Sequence, residues 1–174
     1  IADRRSTRKY SDVPMTQREF AQVLFLTTGI TNDPWGQARR SAPSSGALYP
    51  IETYAVVHNV EGIERGVYHY ALREHALEQV RAGDFRAHTV DQALSQEFLG
   101  ECGAVIFLTQ ILQRMRPKYQ DRSYRYGLLE AGQVGLERGF IRPGRAVDAL
   151  EHLVAGITAP VGASQLRQLE CLEL

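Results

Sequence analysis

Apolar residues recur at helical spacing soon after Pro14. Thr16 to Glu19 has the sequence of a capping box, in which the two side chains satisfy backbone amides at the start of a helix. The positions that follow repeat with the period of an α-helix, at Phe20, Val23, Leu24, Leu26 and Thr27. Gly29 then supplies a natural C-cap, so the pattern predicts one amphipathic helix between Thr16 and Gly29.

Strand-like patterns fill the middle of the chain, after a polar stretch. Residues 30–50 are rich in Pro, Gly, Ser and Asn and are predicted to form a loop. Residues 52–58 have the composition of a buried strand, and residues 67–70 and 77–80 look like two further short strands. Because short connections join the three, we expect an antiparallel meander.

Helical and strand-like patterns alternate in the rest of the chain. Helices are expected over residues 89–99, 124–138 and 145–154, and strands over residues 104–109 and 169–174. The long helix contains a run of small residues that would allow another helix to approach closely, at Ala131, Gly132 and Gly135. Helices interleaved with a mostly antiparallel meander predict an α+β fold, with helices flanking a central sheet.

Length and composition restrict the class of protein. A chain of 174 residues, 44% of them hydrophobic, suits one domain with a sizeable core, so we predict a single domain over residues 1–174. The formal net charge is zero, which argues against a nucleic-acid-binding protein, since such proteins normally carry a basic excess. No apolar run approaches the roughly 20 residues that a membrane-spanning helix needs, so no membrane association is expected.

The two cysteines give no indication of a disulfide or a metal site. Cys102 and Cys171 have the spacing of neither a disulfide framework nor a zinc site, so we expect buried or incidental free thiols and no metal site. A reducing cytoplasm is then the expected location. The basic residues at the start of the chain precede no apolar segment, so no signal peptide is expected.

Cationic and hydroxyl side chains are concentrated in the run Arg4-Arg5-Ser6-Thr7-Arg8. Arg binds phosphate through two parallel hydrogen bonds and stays charged at any working pH, so this run suits an anion site. In an extended strand, Arg4, Ser6 and Arg8 would lie on one side. The alternative is a solvated basic tail.

A loop containing Pro and Gly precedes the first strand of the meander, with the sequence Ala42-Pro43-Ser44-Ser45-Gly46-Ala47-Leu48-Tyr49-Pro50. Pro and Gly fix such a loop, and Ser44 and Ser45 offer hydroxyl and backbone donors to the edge of a ligand. An ordinary turn into the strand would have a similar composition, so this segment alone is weak evidence for a binding site.

Lys118 and Tyr119 stand side by side in a polar segment before the long predicted helix. A Lys beside a Tyr provides two groups that can move protons, if the pKa of either is shifted. The alternative is that both residues only belong to a polar helix start.

Taken together, in this order and spacing, the three segments resemble the SagB-type dehydrogenases of the nitroreductase-like family of FMN enzymes. Residues 4–8 resemble the family's N-terminal FMN-binding motif, and residues 41–50 are similar to its PS-GALYP signature. Lys118 and Tyr119 resemble the Lys-Tyr pair at the active site of the peptide azoline oxidases. The likeness covers roughly residues 4–135, and the C-terminal part that follows departs from the family pattern.

This resemblance implies a nitroreductase-like fold in which a long central helix lies at a homodimer interface, with FMN bound there. Arg4, Arg5, Ser6 and Arg8 would meet the phosphate and ribityl side of the cofactor. The other edge of the flavin would meet the loop of the second subunit in the dimer, at Pro43, Ser44, Ser45, Gly46 and Leu48. The flavin carries the redox chemistry in such enzymes, and the protein positions it.

The reaction that the resemblance implies is oxidation of a peptide thiazoline or oxazoline to a thiazole or oxazole, with Lys118 or Tyr119 as the base. The residues do not separate these two assignments. A biosynthetic complex with cyclising enzymes is the expected setting. Two alternatives stay open: a general NAD(P)H-dependent nitroreductase acting on small aromatic compounds, which does not need the Lys-Tyr pair, and a non-catalytic flavin-binding dimer module.

Overall fold

The first helix forms where the capping box predicts it. A computed structural model of the protein describes residues 8–32, 38–137 and 171–173. Helix α1 spans Gln17–Thr28, and the Thr16 hydroxyl accepts a hydrogen bond from the Glu19 amide while the Glu19 carboxylate accepts one from the Thr16 amide. Phe20 and Leu24 are fully buried on its inner face. The predicted helix is therefore confirmed.

A small hairpin lies in the segment that composition predicts as a loop. Strand β1 (Ile30–Asn32) pairs antiparallel with β2 (Arg39–Arg40), and a 3-10 turn follows at Ser45–Ala47. The prediction of an unbroken loop over residues 30–50 is wrong to this extent. Strands of two or three residues are held by backbone hydrogen bonds. They are too short to show a periodic apolar pattern in the sequence.

The predicted meander forms the centre of a five-stranded antiparallel sheet. Strands β3 (Ile51–Val57), β4 (Gly66–Ala71) and β5 (Ala76–Ala82) pair in succession. Strand β6 (Ala104–Gln110) joins the free edge of β3, and β7 (Cys171–Glu173) pairs with β5. The order is β6-β3-β4-β5-β7, which with the flanking helices confirms the α+β prediction.

The helix that follows the meander is shorter than its pattern suggests. Helix α2 spans Arg86–Gln92, and Leu94 then takes a left-handed backbone conformation with φ of 59°. The chain turns there into a 3-10 segment at Glu97–Gly100, which buries Leu99 and leaves Leu94 90% exposed. The prediction of one helix over residues 89–99 is wrong, because burial of Leu99 outweighs the local helical periodicity.

Two helices follow β6. Helix α3 (Leu112–Tyr119) was not predicted, whereas α4 (Ser123–Glu137) is the long helix that the pattern predicts. The side chain of Gln110, at the end of β6, crosses α4 at Gly127. A Cβ atom on Gly127 would lie 1.7 Å from Gln110 Nε2, so the missing side chain leaves room for this crossing. The same amide donates a hydrogen bond to the Ser123 carbonyl 2.9 Å away, which fixes the start of α4 on the sheet.

The main hydrophobic core lies between the sheet and helices α1 and α4. It contains Phe20 and Leu24 from α1, Tyr68 and Tyr70 from β4, Ile106 and Leu108 from β6, and Ala131 and Val134 from α4. A smaller cluster beneath α2 includes Cys102. Burial raises the pKa of that free thiol to about 12, which keeps it protonated and agrees with the expected buried cysteine.

Two parts of the predicted structure fall outside the described residues. One is the helix expected over residues 145–154, and the other is the beginning of the chain through Thr7. The strand expected over residues 169–174 is seen as β7. A single domain over residues 1–174 therefore stays a prediction. Within the described part of the chain, every helix is too short or too polar to cross a membrane.

Candidate active site

The loop between β2 and β3 is held in place by the side chain of Ser44. Its hydroxyl donates to Glu130 Oε2 at 2.7 Å and accepts from the Tyr49 amide at 2.8 Å. Between these anchors the chain makes the 3-10 turn, in which Gly46 has a left-handed φ of 67°. The Ser44–Tyr49 segment, called the serine loop below, is thereby tied to α4.

Glu130 is the buried partner of this loop. It is 5% exposed, and it accepts a second hydrogen bond from the backbone amide of Ser45. Burial raises the pKa of Glu130, although the hydrogen bonds from Ser44 and Ser45 and the charge of Arg40 oppose the shift. Sequence reasoning assigned Glu130 no role, although an acidic residue between Leu129 and Ala131 in a helix that packs on the core was the available signal.

Lys118 and Tyr119 lie against the turn of the serine loop. They are the last two residues of α3. A Cβ atom on Gly46 would lie 2.5 Å from Lys118 Nζ and 2.7 Å from Tyr119 Oη. The Tyr119 ring packs edge-to-face on Tyr126, with 4.9 Å between the centroids, and Lys118 Nζ is 5.4 Å from the centre of the Tyr119 ring. The structure thus brings together two of the three segments that the sequence singles out.

The remaining predicted site residues are Arg4, Arg5, Ser6, Arg8, Pro43 and Leu48. The first three of them lie outside the described residues. Arg8 is exposed, with its guanidinium carbon 5.7 Å from the centre of the Phe98 ring. Pro43 is exposed and Leu48 is half-buried, where it lines a cavity next to the serine loop.

That cavity has a volume of about 460 Å³ and a mixed lining of apolar and charged groups. Its wall is built from β1, β2, the serine loop, strands β4 and β5 with their connection, and α3. The residues that line it are Ile30, Ala38, Arg40, Leu48, Tyr49, His69, Ala71, Leu72, Arg73, Glu74, Glu78 and Arg114.

A string of four alternating charges runs along one side of the cavity, from α3 across three strands. Arg114 donates to Glu52 Oε1, and Glu52 Oε2 lies 3.0 Å from His69 Nε2. His69 Nδ1 is 2.6 Å from Glu78 Oε2. Carboxylates only accept hydrogen bonds, so both contacts of the ring require a doubly protonated His69. Arg114, Glu52, His69 and Glu78 are called the charge string below.

The ionisation of the string follows from these contacts. Burial acts to lower the pKa of His69, but hydrogen bonds to Glu52 and Glu78 outweigh it, and the pKa is raised. Burial acts to raise the pKa of Glu52, but the hydrogen bonds from His69 and Arg114, with the charge of Arg114, outweigh it, and the pKa is lowered. Both pKa shifts favour the charged forms of His69 and Glu52, as expected for two partners in an ion pair.

Arginine side chains connect the string to the serine loop. Arg114 Nη1 also donates to the Tyr49 carbonyl at 2.9 Å. Arg40 donates to the Ile51 carbonyl at 2.9 Å, and its guanidinium carbon lies 4.9 Å from the centre of the Tyr49 ring. Burial lowers the pKa of Arg40. Sequence reasoning missed these residues. Which charged side chains become neighbours across strands depends on the strand register, and the hydrophobic pattern does not determine that register.

Comparison with known proteins places the chain in a family. The Nitroreductase family model matches residues 1–135. A protein of Methanocaldococcus jannaschii, MJ1384, which is provisionally named as a nitroreductase, is 34% identical over 134 residues, or 77% of this chain and 66% of its own length. The microcin B17-processing protein McbC of Escherichia coli is 36% identical over 65% of this chain and 43% of its own length. The trifolitoxin-processing protein TfxB of Rhizobium leguminosarum bv. trifolii is 33% identical over 55% and 27%. The matched region thus spans less than two thirds of each relative.

Solved structures agree with the fold. A crystal structure from Anabaena variabilis, also provisionally named as a nitroreductase, has a TM-score of 0.65 at 36% identity, covering 78% of this chain and 28% of that chain. A chain in the E. coli microcin synthetase McbBCD complex, with truncated pro-MccB17 bound, has a TM-score of 0.59 at 27% identity, covering 78% and 55%. With more than half of its length matched by the family model, the chain belongs to the nitroreductase family.

Proposed function

We propose that the protein is an FMN-dependent oxidoreductase of the SagB type, which oxidises thiazoline or oxazoline rings in a peptide to thiazoles or oxazoles. The observation that carries the proposal is the contact of Lys118 and Tyr119 with the glycine of the serine loop. Two relatives named for the processing of microcin B17 and trifolitoxin, McbC and TfxB, support a peptide substrate. A complex containing cyclising enzymes is proposed on the same ground, since one similar structure is a microcin synthetase complex.

The described residues fit one edge of a flavin site. The serine loop presents Gly46 at the surface and Ser45 partly exposed, next to the ammonium of Lys118. The hydroxyl proton of Ser44 is donated to Glu130, so Ser45 is the better side-chain donor to the flavin. Pro43 and Leu48 would complete this edge. Arg4, Arg5, Ser6 and Arg8 would hold the phosphate and ribityl side.

The chain supplies positioning and proton transfer for this reaction. When bound, FMN would supply the two-electron redox chemistry of the azoline oxidation, with oxygen as the final electron acceptor. Lys118 or Tyr119 takes the proton that leaves the ring carbon. The edge-to-face contact with Tyr126 fixes the Tyr119 ring, and the missing side chain at Gly46 leaves room for both groups.

Two variants at the pair test the proposal. Lys118→Ala and Tyr119→Phe should each purify with flavin bound, while azoline oxidation falls about 10²-fold, the usual contribution of a general acid or base. Tyr126→Phe is the matched control, because it removes a neighbouring hydroxyl and keeps the ring contact with Tyr119. A wild-type protein without the flavin absorption spectrum, or unchanged turnover in both variants, contradicts the proposal.

A second candidate is favoured by the match to the M. jannaschii protein. It is the general reductase, which takes electrons from NAD(P)H and passes them to small nitroaromatic compounds. The same variants separate the two activities. Nitroaromatic reduction that survives in Lys118→Ala, with no azoline oxidation in the wild type, identifies the general reductase.

We also propose that the protein is a homodimer paired through α4. This helix leaves apolar side chains exposed, with Tyr124 at 54%, Leu128 at 38% and Leu129 at 62%. A Cβ atom on Gly132 would meet nothing within 4 Å, so this part of the helix is open to a second copy. Light scattering at micromolar concentration should give twice the chain mass for wild type and the single mass for Leu129→Glu. Leu94→Glu, at another exposed apolar position, should stay dimeric; a monomeric wild type overturns the assignment.

A further inference from the structure

Arg114 is the point where the charge string meets the proposed catalytic segments. It lies one helical turn before Lys118 on α3, and its Nη1 donates both to Glu52 and to the carbonyl of Tyr49. One guanidinium therefore binds the helix that carries Lys118 and Tyr119 to the loop that carries Gly46. Its own orientation is set by Glu52, since Glu52 is the carboxylate it contacts.

Glu52 is held in turn by His69. The ring lies between two carboxylates, Glu52 from β3 and Glu78 from β5, and the Tyr54 ring of β3 packs 5.0 Å from its centre. The side chains of His69 and Glu52 are 19% and 12% exposed, which limits the screening of their charges by water. Without the charge of Glu52, the cations Arg114 and His69 would face each other with no carboxylate between them.

We propose that Glu52 and His69 are positioning residues, which hold Arg114 and through it set where Lys118 and Tyr119 lie relative to Gly46. Neither touches the reacting groups. Their effect on turnover rests on the proposed function, whereas their effect on the placement of Lys118 does not. Small displacements at this contact matter, because a shift of about 1 Å at a reacting group can cost 10²-fold in rate.

The lysine content of the chain allows a direct measurement of that placement. Lys9 and Lys118 are the only lysines in the sequence, and both are exposed. Limited acetylation with acetic anhydride at one pH, followed by peptide mass spectrometry, gives the ratio of modification at Lys118 to that at Lys9. Lys118 Nζ is crowded by the serine loop, so its release should raise the ratio.

Glu52→Gln is the primary variant, because it keeps the size of the side chain and removes the charge that both Arg114 and His69 contact. Glu61→Gln is the matched control, since Glu61 is exposed in the turn between β3 and β4 and lies outside both the cavity lining and the charge string. Arg114→Lys keeps the positive charge but replaces the guanidinium, whose Nη1 donates to both acceptors, with an ammonium on a shorter side chain. It is the second variant, to be used if Glu52→Gln does not fold.

We expect Glu52→Gln and Arg114→Lys to raise the acetylation ratio at least about twofold and to lower kcat about tenfold or more, with less change in KM. Glu61→Gln should match the wild type in both measurements. Wild-type ratios in Glu52→Gln and Arg114→Lys, or an equal rise in Glu61→Gln, overturn the proposal. Acetylation needs no substrate, so a wild type without azoline turnover refutes the proposed function while the ratio still decides the positioning role.

Discussion

Lys118 Nζ occupies the space in which a side chain on Gly46 would begin. A Cβ atom at that position would be 2.5 Å from the ammonium nitrogen, closer than such atoms approach in folded proteins. Gly46 also has a φ of 67°, a conformation that residues with a side chain adopt only at a cost. Backbone conformation and close packing therefore both disfavour a side chain at this turn, and a side chain added there would displace the end of Lys118.

Gly46→Ala should separate these two constraints when it is compared with Gly62→Ala. Gly62 has nearly the same φ, 71°, but a Cβ atom there would meet only Gln17 Oε1, at an ordinary 3.5 Å. Both variants should lose about 1–2 kcal/mol of unfolding free energy from backbone strain. Only Gly46→Ala should displace Lys118 and lower azoline turnover. Urea unfolding and turnover measured on both variants check this, and equal turnover in the two contradicts it.

Two glycines of α4 should respond to alanine with opposite signs. At Gly127 a Cβ atom would overlap the Gln110 side chain, whereas at Gly132 it would meet nothing within 4 Å. In the monomeric Leu129→Glu background, where no partner helix contacts position 132, Gly132→Ala should raise the unfolding free energy by up to about 1 kcal/mol, the usual gain within a helix. Gly127→Ala should lower it by about 1–3 kcal/mol, the usual cost of overpacking. Urea unfolding of the two variants measures both effects, and a stabilised Gly127→Ala would show that Gln110 does not cross the helix there.

The hydrogen bond from Ser44 to Glu130 should stabilise the fold most when Glu130 is charged. The pKa of Glu130 is raised in the folded protein, so its charged form is the less favourable one and depends on its donors. Ser44→Ala should lower the unfolding free energy by about 1–3 kcal/mol at neutral pH. The deficit should shrink as the pH falls through the raised pKa. Ser45→Ala, which keeps the backbone donor to Glu130, is the control; a deficit that is the same at every pH contradicts the assignment.

The sequence indicated the elements of this fold better than it indicated the contacts of the site. Capping at Thr16, the meander and the long helix each follow from local patterns, and all three are confirmed. Helix α3 was not predicted, because it is polar and contains Pro117 and therefore shows no apolar residues at helical spacing. Lys118 and Tyr119 were identified through a family resemblance, but their contact with Gly46 depends on how α3 packs on the serine loop.

The charge string should make stability depend on pH at both ends of a window. The pKa of His69 is raised by folding, so its stabilisation is complete at low pH and is lost as the pH rises through the raised value. The pKa of Glu52 is lowered, so its stabilisation is complete at higher pH and is lost as the pH falls through the lowered value. The contributions of His69 and Glu52 are therefore both present only between these two pKa values, and the stabilisation is partial outside them.

His69→Gln tests this window, because an amide can donate to Glu52 but carries no charge. Urea unfolding across the pH range should give a difference between wild type and variant on the order of 1 kcal/mol within the window. The difference should diminish above the raised pKa of His69, where the wild-type ring is neutral and can donate through only one nitrogen. An NMR titration of the wild type should place the His69 midpoint above the ordinary value for histidine. A midpoint at or below that value would mean that the ring does not bridge Glu52 and Glu78.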